Sequence, residues 1–161
     1  VIGNDIVDLA LAKKESNWKR KGFLDKIFTQ QEQLLITSAE SPEVMVWNLW
    51  TRKEAAYKIY NRQTNIRMYF PLQLVCLYES ETSGTVLCNG NIYHTKTKIS
   101  EDNIYTIAVT EENYFSQIKE IKVDAKICKT NGIPYIIDDF SEIKKPVSIS
   151  HHGSFWKGIT L

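Results

Sequence analysis

The chain opens on strict alternation. From Ile2 to Leu9 the residues fall into two sets, Gly3, Asp5, Val7 and Leu9 on one face and Ile2, Asn4, Ile6 and Asp8 on the other. That period of two is the pattern of a β-strand. Thr29-Gln30-Gln31-Glu32 has the spacing of a capping box and predicts a short helix through Leu34-Leu35-Ile36. Ser41-Pro42 places an N-cap before a proline at the first helical position, and predicts a long helix running to about Tyr60. The pattern then turns to strands. Leu72 to Tyr78 is one. Thr85 to Cys88 and Asn91 to Thr95 form a hairpin around Asn89-Gly90, a pair suited to the positive φ values of a two-residue turn. Ile104 to Thr110 follows. Between Glu111 and Lys129 helical and strand periods compete. Ile133 to Ile137, Val147 to Ser150 and Phe155 to Leu161 read as short strands. Helices early and antiparallel strands late predict an α+β fold, an antiparallel sheet with one long packed helix, in a single domain over 1–161.

Composition narrows the function classes. With 43% hydrophobic and 24% charged residues, the 161-residue chain has ordinary globular proportions. No stretch approaches the ~18 consecutive apolar residues of a membrane helix. The start, Val1-Ile2-Gly3-Asn4-Asp5, carries an acid where an export signal carries basic residues. Cys76, Cys88 and Cys128 are odd in number and lack C-x-x-C spacing. A reducing, cytoplasmic location is the expectation. The net charge of +1 argues against nucleic acid as a partner. Between Lys13 and Lys26, however, six basic residues face only Glu15 and Asp25. A solvated helix face and a docking patch for an acidic partner both fit that run.

The long helix carries the first candidate chemistry. At 100° per residue, Glu54 lies about 20° from Trp47 and about 40° from Trp50, with Tyr57 on the same side. A carboxylate thus sits within an aromatic stripe. Buried without a partner, it takes a proton or costs several kcal/mol, on the order of the usual desolvation penalty. Lys58 at i+4 offers a simple surface pair as the structural alternative. Asp5 shares its strand face with Val7 and Leu9. If Asp5 and Glu54 meet, the pair needs a cation or a shared proton, and Mg²⁺ suits two carboxylates. Lys53 and Lys58 nearby suit a polyphosphate. Near the C-terminus, Ser148 and Ser150 alternate with Val147 and Ile149, then run into His151-His152-Gly153-Ser154. That segment reads as a phosphate-binding turn or as a plain polar turn. A direct Ser150–His151 dyad is disfavoured, because strand neighbours project to opposite faces.

Three segments in this order resemble the 4′-phosphopantetheinyl transferase family. They are Ile2-Gly3-Asn4-Asp5-Ile6-Val7-Asp8, Trp50-Thr51-Arg52-Lys53-Glu54-Ala55-Ala56-Tyr57-Lys58 and Ser148-Ile149-Ser150-His151. Phe28-Thr29-x-x-Glu32 and Gly132-Ile133-Pro134-Tyr135 also resemble family segments. The resemblance implies an enzyme of the holo-acyl-carrier-protein synthase type. Such an enzyme moves the 4′-phosphopantetheine arm of coenzyme A to a serine of an apo carrier protein, with Mg²⁺, and releases adenosine 3′,5′-bisphosphate. It implies Asp5 and Glu54 as metal ligands and Asp5, Glu54 and Lys58 as the catalytic set, with Glu54 taking the serine proton. Lys58, Lys53, Ser150 and His151 would bind coenzyme A. Lys13, Lys14, Lys19, Arg20 and Lys21 would dock an acidic acyl carrier protein. The motif order is that of short members whose site forms between subunits, commonly of a trimer. Asp8 stands where Glu is common, and the segment after Lys58 lacks the family's Gly-x-Gly. A non-catalytic coenzyme A-binding module and an acidic-partner docking domain are the alternatives.

Overall fold

Ten strands divide into two five-stranded antiparallel sheets in the computed structural model, which describes residues 1–161. The chain runs β1 (Ile2–Asp8), α1 (Leu9–Glu15), α2 (Phe23–Ile27), α3 (Gln30–Ser38) and α4 (Pro42–Thr64). Then come β2 (Val75–Tyr78), β3 (Ser83–Cys88), β4 (Asn91–Ile99) and β5 (Asn103–Val109). The last five are β6 (Lys119–Ile121), β7 (Cys128–Thr130), β8 (Ile133–Ile137), β9 (Lys144–His152) and β10 (Phe155–Thr160). The first sheet has the order β1-β5-β4-β3-β2, the second β6-β10-β9-β8-β7. The architecture is the expected mixture of antiparallel sheet and one long helix, with a second sheet added. No helix is long and apolar enough to cross a membrane.

Local signals explain most boundaries. Thr29 and Glu32 close the capping box, with Thr29 Oγ1 accepting from Glu32 N–H at 3.2 Å and Glu32 Oε1 accepting from Thr29 N–H at 2.9 Å. Asn89 and Gly90 take φ values of 49° and 82°, as the β3–β4 turn requires. Helix α4 starts at Pro42 and continues four residues past Tyr60, ending where Asn65 turns left-handed at φ 58°. Helix α1 went unread, because the strand alternation persists to Leu9. Asp8 stops the strand by capping α1, its Oδ1 accepting from Leu11 N–H at 3.1 Å. The ambiguous 111–129 stretch resolves into a 3-10 turn over Glu112–Gln117, then β6 and the start of β7.

Helix α4 lies across β1 and β5. It comes so close that a Cβ on Gly3 would stand 2.0 Å from the Ala55 carbonyl oxygen. Its far side is fastened by buried cations. Lys53 pairs with Glu32 at 2.7 Å, both side chains wholly buried, and donates to the Pro71 and Leu74 carbonyls at 2.8 and 2.7 Å. Glu32 Oε2 also accepts from Cys76 N–H at 3.0 Å. A buried ion pair is tolerated on such terms, with its remaining donors and acceptors satisfied. Arg52 donates to Asn48 Oδ1 and to the carbonyls of Ser80, Glu81 and Ser83, tying α4 to the β2–β3 turn.

Gly3→Ala should force α4 off β1 and cost about 1–3 kcal/mol or more, the range for overpacking a filled interior. Urea unfolding of the variant against the parent checks this. An unchanged midpoint would show that the helix is free to shift.

Candidate active site

One edge of β1 pairs with β5, from Ile2 opposite Val109 to Asp8 opposite Asn103. The other edge has no backbone partner, and side chains of β9 fill it. Asn4 N–H donates to Ser148 Oγ at 3.0 Å, Ile6 N–H to Ser150 Oγ at 3.1 Å, and Asp8 N–H to His152 Nδ1 at 2.9 Å. Alternation in β9 makes this possible, since positions 148, 150 and 152 share a face. Ser148 also donates to Asn4 Oδ1 at 2.7 Å and Ser150 to Asp5 Oδ1 at 2.9 Å. Lys58 spans the same seam, donating to the carbonyls of Asn4 at 2.6 Å and Ile149 at 3.1 Å. Its ammonium stands 3.5 Å from Asp5 Oδ1.

Two clefts open at this seam. The smaller, about 250 Å³, is lined by Asp5, Trp47, Trp50, Glu54, His151 and His152 among others. The larger, about 310 Å³, holds Lys58, Asn61, Arg62, Lys129 and His151 and no acidic side chain. His151 lines both, so a carboxylate pair adjoins a cationic trough. Within α4, Glu54, Lys58 and Arg62 follow at i, i+4 and i+8 and occupy one face.

Burial, and then the charge of Asp5, push the Glu54 carboxyl up to about 7, against the pull of Lys58. Burial also raises Asp5, although Lys58 and Ser150 oppose it. A carboxylate whose charged form is destabilised by burial and by a second carboxylate makes, with it, a site for a cation. No third Asp, Glu, His or Cys joins them. Asp8 is committed elsewhere, capping α1 and accepting from Ser154 N–H at 3.0 Å. Two carboxylates fit Mg²⁺, which keeps its other positions for water and phosphate oxygens. Trp47 lines the smaller cleft and Arg62 the larger. Tyr69 packs edge-on between Trp50 and Tyr57, ring centroids 6.0 and 5.2 Å away, one from each cleft, with its hydroxyl at Glu54.

The expected residues divide. Asp5, Glu54, Lys58 and His151 come together. Lys53 does not: its ammonium is enclosed by Glu32 and two carbonyls on the opposite side of α4, where no phosphate reaches it. Ser150 lies at the site, but its hydroxyl is held by Ile6 N–H and Asp5, so it orients the carboxylate rather than facing the trough. Lys58 pairs with Asp5 and not with Glu54, which replaces the simple surface pair. All these groups belong to one chain, because β9 folds onto its own β1. The shared site between subunits is therefore not needed to unite them. Arg62, Lys129 and Tyr69 were missed. The i+4 step from Lys58 could have signalled Arg62, whereas nothing local marks Lys129 or Tyr69.

A family model described as 4′-phosphopantetheinyl transferase superfamily (ACPS) matches residues 1–114. The chain belongs to the 4′-phosphopantetheinyl transferase superfamily. A holo-[acyl-carrier-protein] synthase of Campylobacter jejuni subsp. jejuni serotype O:6 is 29% identical over 113 residues, 67% of this chain and 95% of that protein. The crystal structure of the Neisseria meningitidis holo-[acyl-carrier-protein] synthase superposes with a TM-score of 0.54 at 21% identity, covering 69% of this chain and 97% of that one. The Thermotoga maritima synthase gives 0.50 at 12% identity, covering 75% and 76%. These likenesses are of fold. This member of the superfamily is a transferase by family, with β6 to β10 lying beyond the matched span. Ser148, Ser150, His151 and Lys129 thus come from the part of the chain outside residues 1–114.

Glu54 sets a pH dependence. Its folded pKa of about 7 exceeds the ordinary 4.5, so the folded protein holds the proton more tightly than the unfolded chain. Metal-free stability is then highest below about pH 4.5 and falls as pH rises through 7. Glu54→Gln should be more stable than the parent at pH 8 by roughly 2–3 kcal/mol, an advantage that shrinks toward pH 4. Denaturant titrations at the two pH values in a chelator check this, and a pH-independent difference would overturn it.

Proposed function

We propose that this protein transfers the 4′-phosphopantetheine arm of coenzyme A to a serine of an apo carrier protein, with Mg²⁺, releasing adenosine 3′,5′-bisphosphate. The observation that carries the reading is the junction of a two-carboxylate pocket with an acid-free cationic trough through His151. A pyrophosphate ester of a nucleotide bisphosphate needs both, a divalent cation at the reacting phosphates and fixed cations along the rest. Lys129 and His151 face the nucleotide phosphates, Arg62 braces the trough by donating to the Pro134 and Val147 carbonyls, and Lys58 adds charge while holding Asp5 in place. Asp5 and Glu54 would hold Mg²⁺, which would supply positive charge at the pyrophosphate. Glu54 takes the proton from the serine hydroxyl. The serine oxygen then bonds to the phosphorus that carries the pantetheine arm. The bond from that phosphorus to the bridging oxygen breaks, and adenosine 3′,5′-bisphosphate leaves with the electron pair. The basic residues Lys13, Lys14, Lys19, Arg20 and Lys21 are all exposed and suit an acidic carrier.

The direct test is the intact mass of an apo acyl carrier protein after incubation with this protein, coenzyme A and Mg²⁺. The expected result is the gain of one phosphopantetheinyl group, abolished by a chelator. Glu54→Gln should lower kcat by about 10²-fold or more, the usual worth of a general base. No gain in mass with coenzyme A still bound would leave a binding module.

One chain is the catalytic unit in this proposal. Glu54→Gln mixed with His151→Ala should therefore recover no activity beyond that of either variant alone. Substantial recovery in the mixture would place the two halves of the site on different subunits.

A further inference from the structure

Of the three rungs that β9 lends to β1, two are serine hydroxyls and the third is an imidazole. A hydroxyl accepts from an N–H at any ordinary pH. An imidazole does so only through a nitrogen that carries no proton. Asp8 N–H donates to His152 Nδ1 at 2.9 Å, so His152 stands as the neutral tautomer with its proton on Nε2. Nε2 lies 3.6 Å from Glu15 Oε2 of α1. Asp8 commits its carboxylate in the same place. Oδ1 accepts from Leu11 N–H at 3.1 Å and Oδ2 from Ser154 N–H at 3.0 Å, so one residue ties the end of β1 to the start of α1 and to the β9–β10 turn. That turn presses on it, since a Cβ on Gly153 would stand 2.2 Å from Asp8 Oδ2.

Protonation sets this rung against itself. A second proton must enter at Nδ1, where the Asp8 N–H already points. Two donors then face each other, the ring turns away, and the N–H of buried Asp8 is left without an acceptor. The ring is open to that proton, with its side chain 29% exposed. The ionisable groups that face it are acids: Asp8 of β1, Glu15 of α1 and, across the smaller cleft, Asp5 and Glu54. Lys13 and Lys14 of α1 line a different recess, and Lys157 of β10 turns to Glu120 and the Tyr105 ring. An imidazolium therefore finds carboxylates to receive it once it has left the seam. The site feels the loss through His151, which sits between the second and third rungs and lines both clefts.

We propose that His152 is a positioning residue that fastens the end of β9, and with it His151, to β1 while Nδ1 is unprotonated, and that releases it on protonation. Ser148 and Ser150 hold their rungs at either pH, so the release is confined to the end of the strand. This role rests on the phosphopantetheinyl transfer proposed above. It deepens that reading by adding a residue that acts on the nucleotide side of the site through His151 rather than on the substrate itself.

The test compares the whole protein with His152→Asn, whose side-chain oxygen replaces Nδ1 as an acceptor and does not titrate, and with His152→Ala, which offers no acceptor. Hydrogen exchange of the Asn4, Ile6 and Asp8 amides is followed by NMR in a chelator at pH 8 and at about pH 5.5, on either side of the ordinary imidazole range. In the parent the protection of the Asp8 amide, corrected for the intrinsic pH dependence of exchange, should fall about tenfold or more, while Asn4 and Ile6 keep theirs. In His152→Asn the Asp8 amide should hold at both pH values, and in His152→Ala it should be poorly protected at both. Transfer kinetics give the second readout. With each protein taken relative to its own value at pH 8, kcat/KM for coenzyme A should fall about threefold or more further in the parent than in His152→Asn. Equal pH profiles for these two overturn the positioning role, because the acid limb then belongs to other groups. A parent Asp8 amide indifferent to pH overturns the fastening itself, as does a joint loss of all three amides that persists in His152→Asn. A parent that shows the amide response but transfers nothing defeats the transfer reading instead, and leaves the fastening in place.

Discussion

The site depends on the seam between β1 and β9. Three N–H groups of β1, at positions 4, 6 and 8, find no backbone acceptor and are met by Ser148, Ser150 and His152. An unpaired buried donor costs about 1–3 kcal/mol, so the seam is specified by hydrogen bonding as well as by apolar packing. Side-chain acceptors join the two strands in place of a backbone ladder. Across that seam Lys58 reaches carbonyls on both strands, and His151 lies where the two clefts meet. Asp5 gains its orientation in the same place, from Ser150 and Lys58 together.

Helix α4 serves two sides with adjacent residues. Arg52 and Lys53 turn into the protein and are wholly buried, each with its donors on carbonyls or carboxylates. Glu54, Lys58 and Arg62 turn toward the clefts. The reason is the helical period, since one residue step rotates the side chain by about 100°. Within the Trp-x-x-Lys-Glu segment the lysine therefore ends in the interior and the glutamate in the cleft. The Lys53–Glu32 pair further explains why the Phe-Thr-x-x-Glu segment accompanies it: that glutamate closes a capping box and receives Lys53 at the same time.

Burial near Glu54 is supplied by aromatic rings. Phe23, Trp47, Trp50, Tyr69 and Tyr57 form an edge-to-face chain with centroid spacings of 5.2 to 6.5 Å. The chain walls the carboxylate off from water on one side, and that burial raises its pKa.

Local chemistry determined much of this in advance. The capping box at Thr29, the proline start of α4, the Asn-Gly hairpin and the alternation of β1 and β9 each depend on residues within a few positions of one another. They placed Asp5, Glu54, Lys58 and His151 on definite elements and faces. What the chain alone left open was which partners those faces meet. Lys53 and Lys58 look equivalent along the sequence, five residues apart on one helix, and Ser150 and His151 are neighbours. Their fates separate only because α3 brings Glu32 under one lysine and β9 closes on β1 beneath the other, contacts 21 to 145 residues distant in sequence. A side chain's direction follows from its own element, but the group it ends against follows from how distant elements pack.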